Sequence, residues 1–194
     1  YIRDIAIELK EYGDLRNAIV HERIDDQPIA EPHLKTVLRL EKIRDLLRTP
    51  PTVEEFVKEV ITCTAMTPLS AVLKQMYKYT LSKIPVYRED GGFLGLLTAE
   101  AITYWLADHI REPQKNLTQE PVKAVLAYLD KPDNYFFVSR NYTMFDALQL
   151  FEVYSHQGKR LQAVLISDDG TELGNLIGII TAFDLPRIYH VIDS

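Results

Sequence analysis

The chain has 194 residues, 46% hydrophobic and 26% charged, and its 22 Lys and Arg stand against 28 Asp and Glu for a net charge of −6. That length buries a sizeable core without disulfide or metal staples, and no stretch approaches the roughly 18 uninterrupted apolar residues of a membrane span. The acidic balance makes no electrostatic case for a polyanion, although a small phosphate ligand needs only a local positive pocket. The single cysteine, Cys63, excludes an internal disulfide and a cysteine-based zinc site. Nothing resembles a secretory signal, so a reducing cytoplasm is the expected location. The chain starts at Tyr1 rather than Met, and further residues are expected upstream.

Residues 1–50 read as a small all-helical segment. Ile2, Ile5, Ala6 and Leu9 mark one apolar stripe ahead of Gly13. A second short helix is predicted after Asp14, whose carboxylate can accept from first-turn amides, with Leu15, Ala18 and Ile19 turned inward. The charged run from Glu22 to Asp26 reads as a solvated loop. A third helix follows Pro32, with Leu34, Val37, Leu38 and Leu47 near a 3.6 period, and Thr49-Pro50-Pro51 stops it because proline lacks an amide and disfavours helix in the residue before it.

Beyond Pro51, short β-branched runs alternate with helices, and one order of elements occurs twice. In the first copy, residues 51–112, Thr52 opens a short helix through Val57 with Glu55 placed for a capping box. A strand at 60–63, a helix at 69–79, a strand at 84–87, a turn at Asp90-Gly91-Gly92, a strand at 93–97 and a helix at 99–110 follow. In the second copy, residues 113–194, the matching parts are 122–126, 135–139, 144–154, 161–166, the turn around Asp168-Asp169-Gly170, 176–180 and a last helix from Phe183. The polar segment 111–121, with two prolines, reads as the linker. Trp105, Leu106 and Ile110 are predicted to pack against the partner repeat.

Each copy ends with glycine, two aliphatic residues and threonine at a strand-to-helix switch, Gly95-Leu96-Leu97-Thr98 and Gly178-Ile179-Ile180-Thr181. With the Ile84-Pro85-Val86 strand and the doubled β-α-β-β-α order, residues 52–194 resemble a tandem pair of cystathionine-β-synthase (CBS) domains, often called a Bateman module. The resemblance implies an α/β (α+β) fold of two repeats packed as a pseudo-symmetric pair, preceded here by the helical segment. It also implies adenosine-containing ligands: AMP, ADP, ATP, S-adenosylmethionine or cyclic di-AMP. In such domains the junction threonine meets a phosphate and an aspartate three positions on holds the ribose diol. Thr181 and Asp184 match that pattern, whereas Ala101 stands where the first copy would need the aspartate. An asymmetric module, with ligand at the second repeat, is expected.

The chemistry of that junction is consistent with such a ligand. A helix starting after Thr181 offers unpaired amides and a dipole end to an anion, and Asp184, when ionised, can accept both donors of a vicinal diol. Arg187 lies three residues further, and Arg140, Lys159 and Arg160 lie at segment ends expected to converge on the same pocket. Phe137, Val138, Leu161, Gln162 and Ala163 are the candidate walls for an adenine ring. The same letters arise with no ligand if Thr181 is simply a helix N-cap and Asp184 a first-turn carboxylate. In the first copy Glu100 is one position off, about 100° around the helix, and Thr98 is expected to be structural.

In the helical segment, Arg16-Asn17-Ala18-Ile19-Val20-His21 resembles the signature of HEPN domains, helical bundles that include metal-independent ribonucleases. That resemblance implies a composite site across a dimer, with His21 as acid or base and Arg16 on the phosphate. Asn17 and His21 share a helix face, but Arg16 is about 140° from His21. About 49 residues are short for such a bundle, and a partial bundle used for dimerisation is the preferred reading. His33, His109, His156 and His190 lack metal-ligand spacing, and Cys63 reads as a small apolar strand residue.

The sequence thus points to a regulatory adenine-nucleotide sensor rather than an enzyme. Ligand binding in one of two symmetry-related clefts would alter the pose of the helical segment or of a homodimer and so signal to a downstream protein. The alternatives are a HEPN-type ribonuclease acting on RNA under control of the CBS pair, and a ligand-free dimerisation scaffold. No metal and no membrane partner is expected.

Overall fold

The computed structural model describes residues 2–21, 23–24, 27–28, 30–110, 116–128 and 134–193. Helix α1 runs unbroken from Ile2 to His21. The stop expected at Gly13 does not occur, because a glycine costs a helix only about 1 kcal/mol, which the docking of Ile5, Leu9 and Tyr12 on the core outweighs. As a result Leu15 stays 39% exposed, at the groove between this helix and the next, instead of turning into the core. A short antiparallel pair, β1 (Arg23–Ile24) and β2 (Gln27–Pro28), interrupts the segment expected to be wholly helical; Glu22, Asp25 and Asp26 of the expected loop lie outside the described residues.

Helix α2 (Leu34–Arg48) starts where Pro32 predicts, its first turn capped by His33 Nδ1 accepting from the Lys35 N–H. Its buried side is set by Ile43 and Leu46. At 100° per residue Leu34, Val37 and Leu38 fall on the far side of the helix, so the stripe read from the sequence faces outward, with Leu34 68% and Leu38 55% exposed. Arg39 clasps Glu8 through two hydrogen bonds of 2.9 Å and so ties α2 to α1.

The rest of the chain is two copies of one unit. The first contains β3 (Cys63–Thr64), α3 (Leu69–Lys78), β4 (Lys83–Tyr87), β5 (Phe93–Thr98) and α4 (Ala99–His109). The second contains α5 (Lys123–Leu126), β6 (Tyr135–Ser139), α6 (Met144–His156), β7 (Ala163–Ser167), β8 (Leu176–Ile180), a 3-10 turn (Ala182–Asp184) and α7 (Leu185–Asp193). Both three-stranded sheets have the order first-middle-last, with a parallel first pair and an antiparallel second pair. Even the irregularity recurs, between Val86 and Tyr87 and between Ile166 and Ser167. The middle strand β7 is buried throughout, which explains its continuous aliphatic run. Strand β3 begins only at Cys63, so most of the strand expected at 60–63 is irregular.

The repeats exchange their leading segments. The 3-10 turn Val53–Phe56, at the head of the first repeat, sits in the core of the second beside Val138, Met144 and Ile180. Backbone bonds hold it there: Val53 N–H to the Tyr142 carbonyl, Met144 N–H to that of Pro51 and Lys58 N–H to that of Ile177, each 2.8 Å. Reciprocally, Val122 and Val125 fill the core of the first repeat beside Leu69, Val72 and Trp105. Thr52 makes no side-chain cap, so the expected capping box is absent, and Glu55 lies 3.7 Å from Arg187 instead. Trp105 does meet the partner repeat, buried beside Val122 and Val125 of its exchanged segment, while Leu106 and Ile110 are exposed rather than packed on it. Residues 111–115 of the expected linker lie outside the described residues.

The two sheets meet through Phe93, Leu96, Ala163 and Leu165. The Phe93 ring lies edge to face with Tyr135 and Phe137, at 5.0 and 5.1 Å between centroids. The helical pair α1–α2 docks on the core of the second repeat, with Ile5 and Ile43 in one cluster with Ile188 and Ile192. Among the described residues no helix is long and apolar enough to cross a membrane, and no group of His, Cys, Asp and Glu is placed to hold a metal ion.

Candidate functional site

A cavity of about 920 Å³ opens between the repeats. Repeat two supplies Ile179, Thr181, Phe183 and Asp184 from the switch between β8 and α7; repeat one supplies Thr80, Leu81, Ser82 and Lys83 from the α3–β4 connection. Lys58, Leu73, Met76, Tyr77, Ala99, Ile102 and Thr103 complete the wall. The connection turns sharply at Thr80, whose φ of 53° is a strained value for a β-branched residue.

At the switch, the backbone N–H and the hydroxyl of Thr181 both donate to Asp184 Oδ2, at 2.8 and 3.0 Å. The threonine and aspartate therefore do form a helix start. Among the described residues Oδ1 of Asp184 accepts no hydrogen bond, and Asp184 is one of the residues that line the cavity. Across the cavity Lys83 donates weakly to Ser82 Oγ at 3.3 Å. Burial holds the Lys83 ammonium below its usual lysine value and nearby Arg160 pushes the same way, partly offset by Asp184 and Glu100. A half-buried cation with so weak a partner, opposite a carboxylate and a hydroxyl, can bind a phosphate attached to a diol.

The pseudo-symmetric place in the first repeat is differently used. The Thr98 hydroxyl accepts from the Ala101 N–H at 3.1 Å and the residue is buried. Glu100 takes the Tyr104 hydroxyl at 2.9 Å and lies 3.7 Å from Arg160. Thr98 and Glu100 thus both have internal partners.

Among the sequence candidates, Thr181 and Asp184 line the cavity, and Arg160 is close enough to perturb Lys83 but pairs with Glu100. Arg140 and Arg187 turn instead to the 3-10 turn of repeat one: Arg140 is 3.9 Å from Glu54, and Arg187 lies over the Phe56 ring at 4.8 Å. Phe137 belongs to the inter-sheet cluster, Val138 and Leu161 to the core of repeat two, and Ala163 to the sheet interface, while Gln162 is buried beside Asn134. None of these five lines the cavity.

The register explains the transposition. Gly95 pairs with Val86 and Gly178 with Ile166, which places Thr80–Lys83 at the positions of 160–163. A pseudo-two-fold sets the α-to-β connection of one repeat against the strand-to-helix switch of the other, so Arg160 faces Glu100 and Lys83 faces Asp184. Lys83, just ahead of Ile84-Pro85-Val86, was the legible signal for the missing wall.

Arg16, Asn17 and His21 are exposed on α1, and the Arg16 guanidinium donates to Asn17 Oδ1 at 3.2 Å. Arg16 borders a small apolar groove of about 230 Å³ between α1 and α2, far in chemistry from a phosphate site. Burial pushes the Cys63 thiol up to about 11, as suits an inert strand cysteine.

The sequence model of the CBS domain matches residues 43–108 and again 130–190. The chain belongs to the CBS domain family. Its pair of CBS repeats superposes on solved structures of low identity. A CBS-domain containing protein from Agrobacterium tumefaciens is 18% identical with a TM-score of 0.51, over 71% of this chain and 92% of that one. CBSX2 in complex with AMP is 16% identical, with a TM-score of 0.52 over 74% and 99%. The CBS domain of a membrane protein from Sphaerobacter thermophilus is 16% identical, with a TM-score of 0.52 over 78% and 97%. These likenesses concern the CBS fold. No curated protein matches the chain significantly.

Proposed function

We propose that this CBS pair is a regulatory module that binds one adenine nucleotide per chain, in the cleft between Thr181–Asp184 and Thr80–Lys83. The observation that carries the reading is that Lys83 of one repeat and Asp184 of the other, whose Oδ1 accepts no hydrogen bond among the described residues, line one cavity. Asp184 would take the ribose diol, Thr181 and Lys83 the phosphate, and the apolar wall of Leu73, Met76, Ile102 and Ile179 the base. The AMP bound to CBSX2, a protein of the same fold, supports that ligand class.

The exchanged leading segments give binding a mechanical consequence. A ligand held by both repeats favours one relative pose, and α1–α2, docked on repeat two, follows it. The exposed outer stripe of α2 supports a second copy or a downstream protein as the reader of that pose. Catalysis by Arg16, Asn17 and His21 gains no support from a groove whose lining is almost wholly apolar.

Affinity in the micromolar range, about −8 kcal/mol, is what one anion contact, one diol clamp and a covered ring supply. Thermal-shift measurements with AMP, ADP, ATP, S-adenosylmethionine and cyclic di-AMP test the reading. At least one raises the melting temperature of the wild type and none that of Asp184→Ala. A ligand that stabilises both equally would place the site elsewhere; no shift by any would leave the scaffold.

A further inference from the structure

We propose that Tyr77 and Phe183 form an aromatic clamp for the base, one ring from each repeat, which makes the cleft selective for purines; this rests on the nucleotide reading above. Tyr77 lies on α3 and Phe183 in the 3-10 turn ahead of α7, and both line the cavity that holds Thr181, Asp184 and Lys83. Their side chains are 91% and 84% exposed. Rings of this size normally bury most of their surface, and a pair left bare at the mouth of one cavity is an unused apolar payload. Among the described residues neither ring joins an apolar cluster or a ring pair.

Position strengthens the inference. Phe183 precedes Asp184 in a turn whose conformation the two hydrogen bonds from Thr181 fix, so the ring is held in register with the carboxylate that would grip the ribose. Tyr77 comes three residues before the strained Thr80, on the opposing wall. A flat base extending from that ribose would cover both rings without asking for any new polar partner. Stacking grows with ring area and tolerates substituents, so the clamp separates purine from pyrimidine and leaves adenine against guanine to edge contacts elsewhere.

Calorimetric titration of AMP, CMP and ribose 5-phosphate into the wild type, Tyr77→Ala, Phe183→Leu and the double variant tests this, with melting temperatures as a check on folding. On the scale of stacking contacts, each single variant is expected to bind AMP about tenfold more weakly. Ribose 5-phosphate is expected to bind unchanged, and the AMP-over-CMP preference to be lost in the double variant. Wild-type preference for AMP that survives in the double variant overturns the clamp and leaves the nucleotide site standing. An equal loss for AMP and ribose 5-phosphate overturns it too, since the rings would then shape the cleft rather than hold the base. If the wild type binds none of the three and none of the adenine compounds of the thermal-shift panel, the nucleotide reading fails and the clamp with it; if it binds another of that panel, the same titrations with that compound in place of AMP decide the clamp.

Discussion

Both hydrogen bonds that Thr181 sends to Asp184, from its N–H and from its hydroxyl, end on the same carboxylate oxygen. The structural part of Asp184 is therefore separable from the ligand recognition proposed for it. In Asp184→Asn the amide oxygen keeps both bonds while an NH₂ donor replaces the open acceptor; in Asp184→Ala both are lost. The asparagine variant is expected to melt near the wild type, and the alanine variant to lose about 1 kcal/mol, the usual cost of a deleted helix cap. Nucleotide binding should fall in both. Paired calorimetry and thermal melts measure the two effects, and normal AMP binding by the asparagine variant would show the open oxygen to be idle.

Lys83 carries a prediction with a pH signature. Its ordinary value of 10.5 is lowered by burial first and by Arg160 second. The native chain therefore releases this proton at lower pH than the unfolded chain does, so stability rises with pH between the native and the ordinary values. Ligand affinity runs the other way: it falls as pH climbs through the native value, earlier than for an exposed lysine. Lys83→Met should melt at or above the wild-type temperature, bind AMP about tenfold more weakly as befits one lost charge-assisted contact, and show no alkaline loss of affinity. Titrations across the alkaline range provide the check.

The interlocked repeats predict an unusually sensitive glycine. A Cβ on Gly178 would lie 2.6 Å from the Phe56 carbonyl oxygen, which is backbone and cannot swing aside. Gly178→Ala is expected to cost about 1 to 3 kcal/mol through overpacking. Phe56→Ala, which empties a buried site in the second repeat from a position in the first, is expected to cost about 3 to 5 kcal/mol. Denaturant melts quantify both, and a single transition is expected because neither repeat holds its own leading segment.

Glu8 governs how α1 clasps α2. Hydrogen bonding to Arg39 and then to Tyr12 holds its carboxyl below the ordinary value of 4.5. A depressed acid contributes stability above its unfolded value and loses it as pH falls through its native value. Wild type should exceed Glu8→Gln by about 0.5 to 1 kcal/mol at neutral pH, typical of a partly exposed pair, and the two should converge in acid below 4.5. Melting curves across that range decide it.

The doubled order of elements and the glycine–threonine junctions made the fold readable, since strand and helix periodicities are local. The partner across the proposed cleft was not, because Lys83 and Asp184 are brought to one cavity only by the pairing of the two repeats, whereas a linear reading placed the wall at Phe137, Val138, Leu161, Gln162 and Ala163 of the second repeat, none of which lines that cavity. Gly13 and the α2 stripe failed for a related reason. Whether a glycine ends a helix, or which of two apolar faces turns inward, depends on the docking surface of repeat two, which no window within the first fifty residues contains.

The most direct test of the central claim is diffraction from crystals grown with millimolar AMP. The account predicts difference density between the repeats, with the ribose diol on Asp184 and the phosphate within reach of Lys83. Density confined to the Thr98 and Arg160 side, or a cleft at Thr181 holding only solvent, would contradict it.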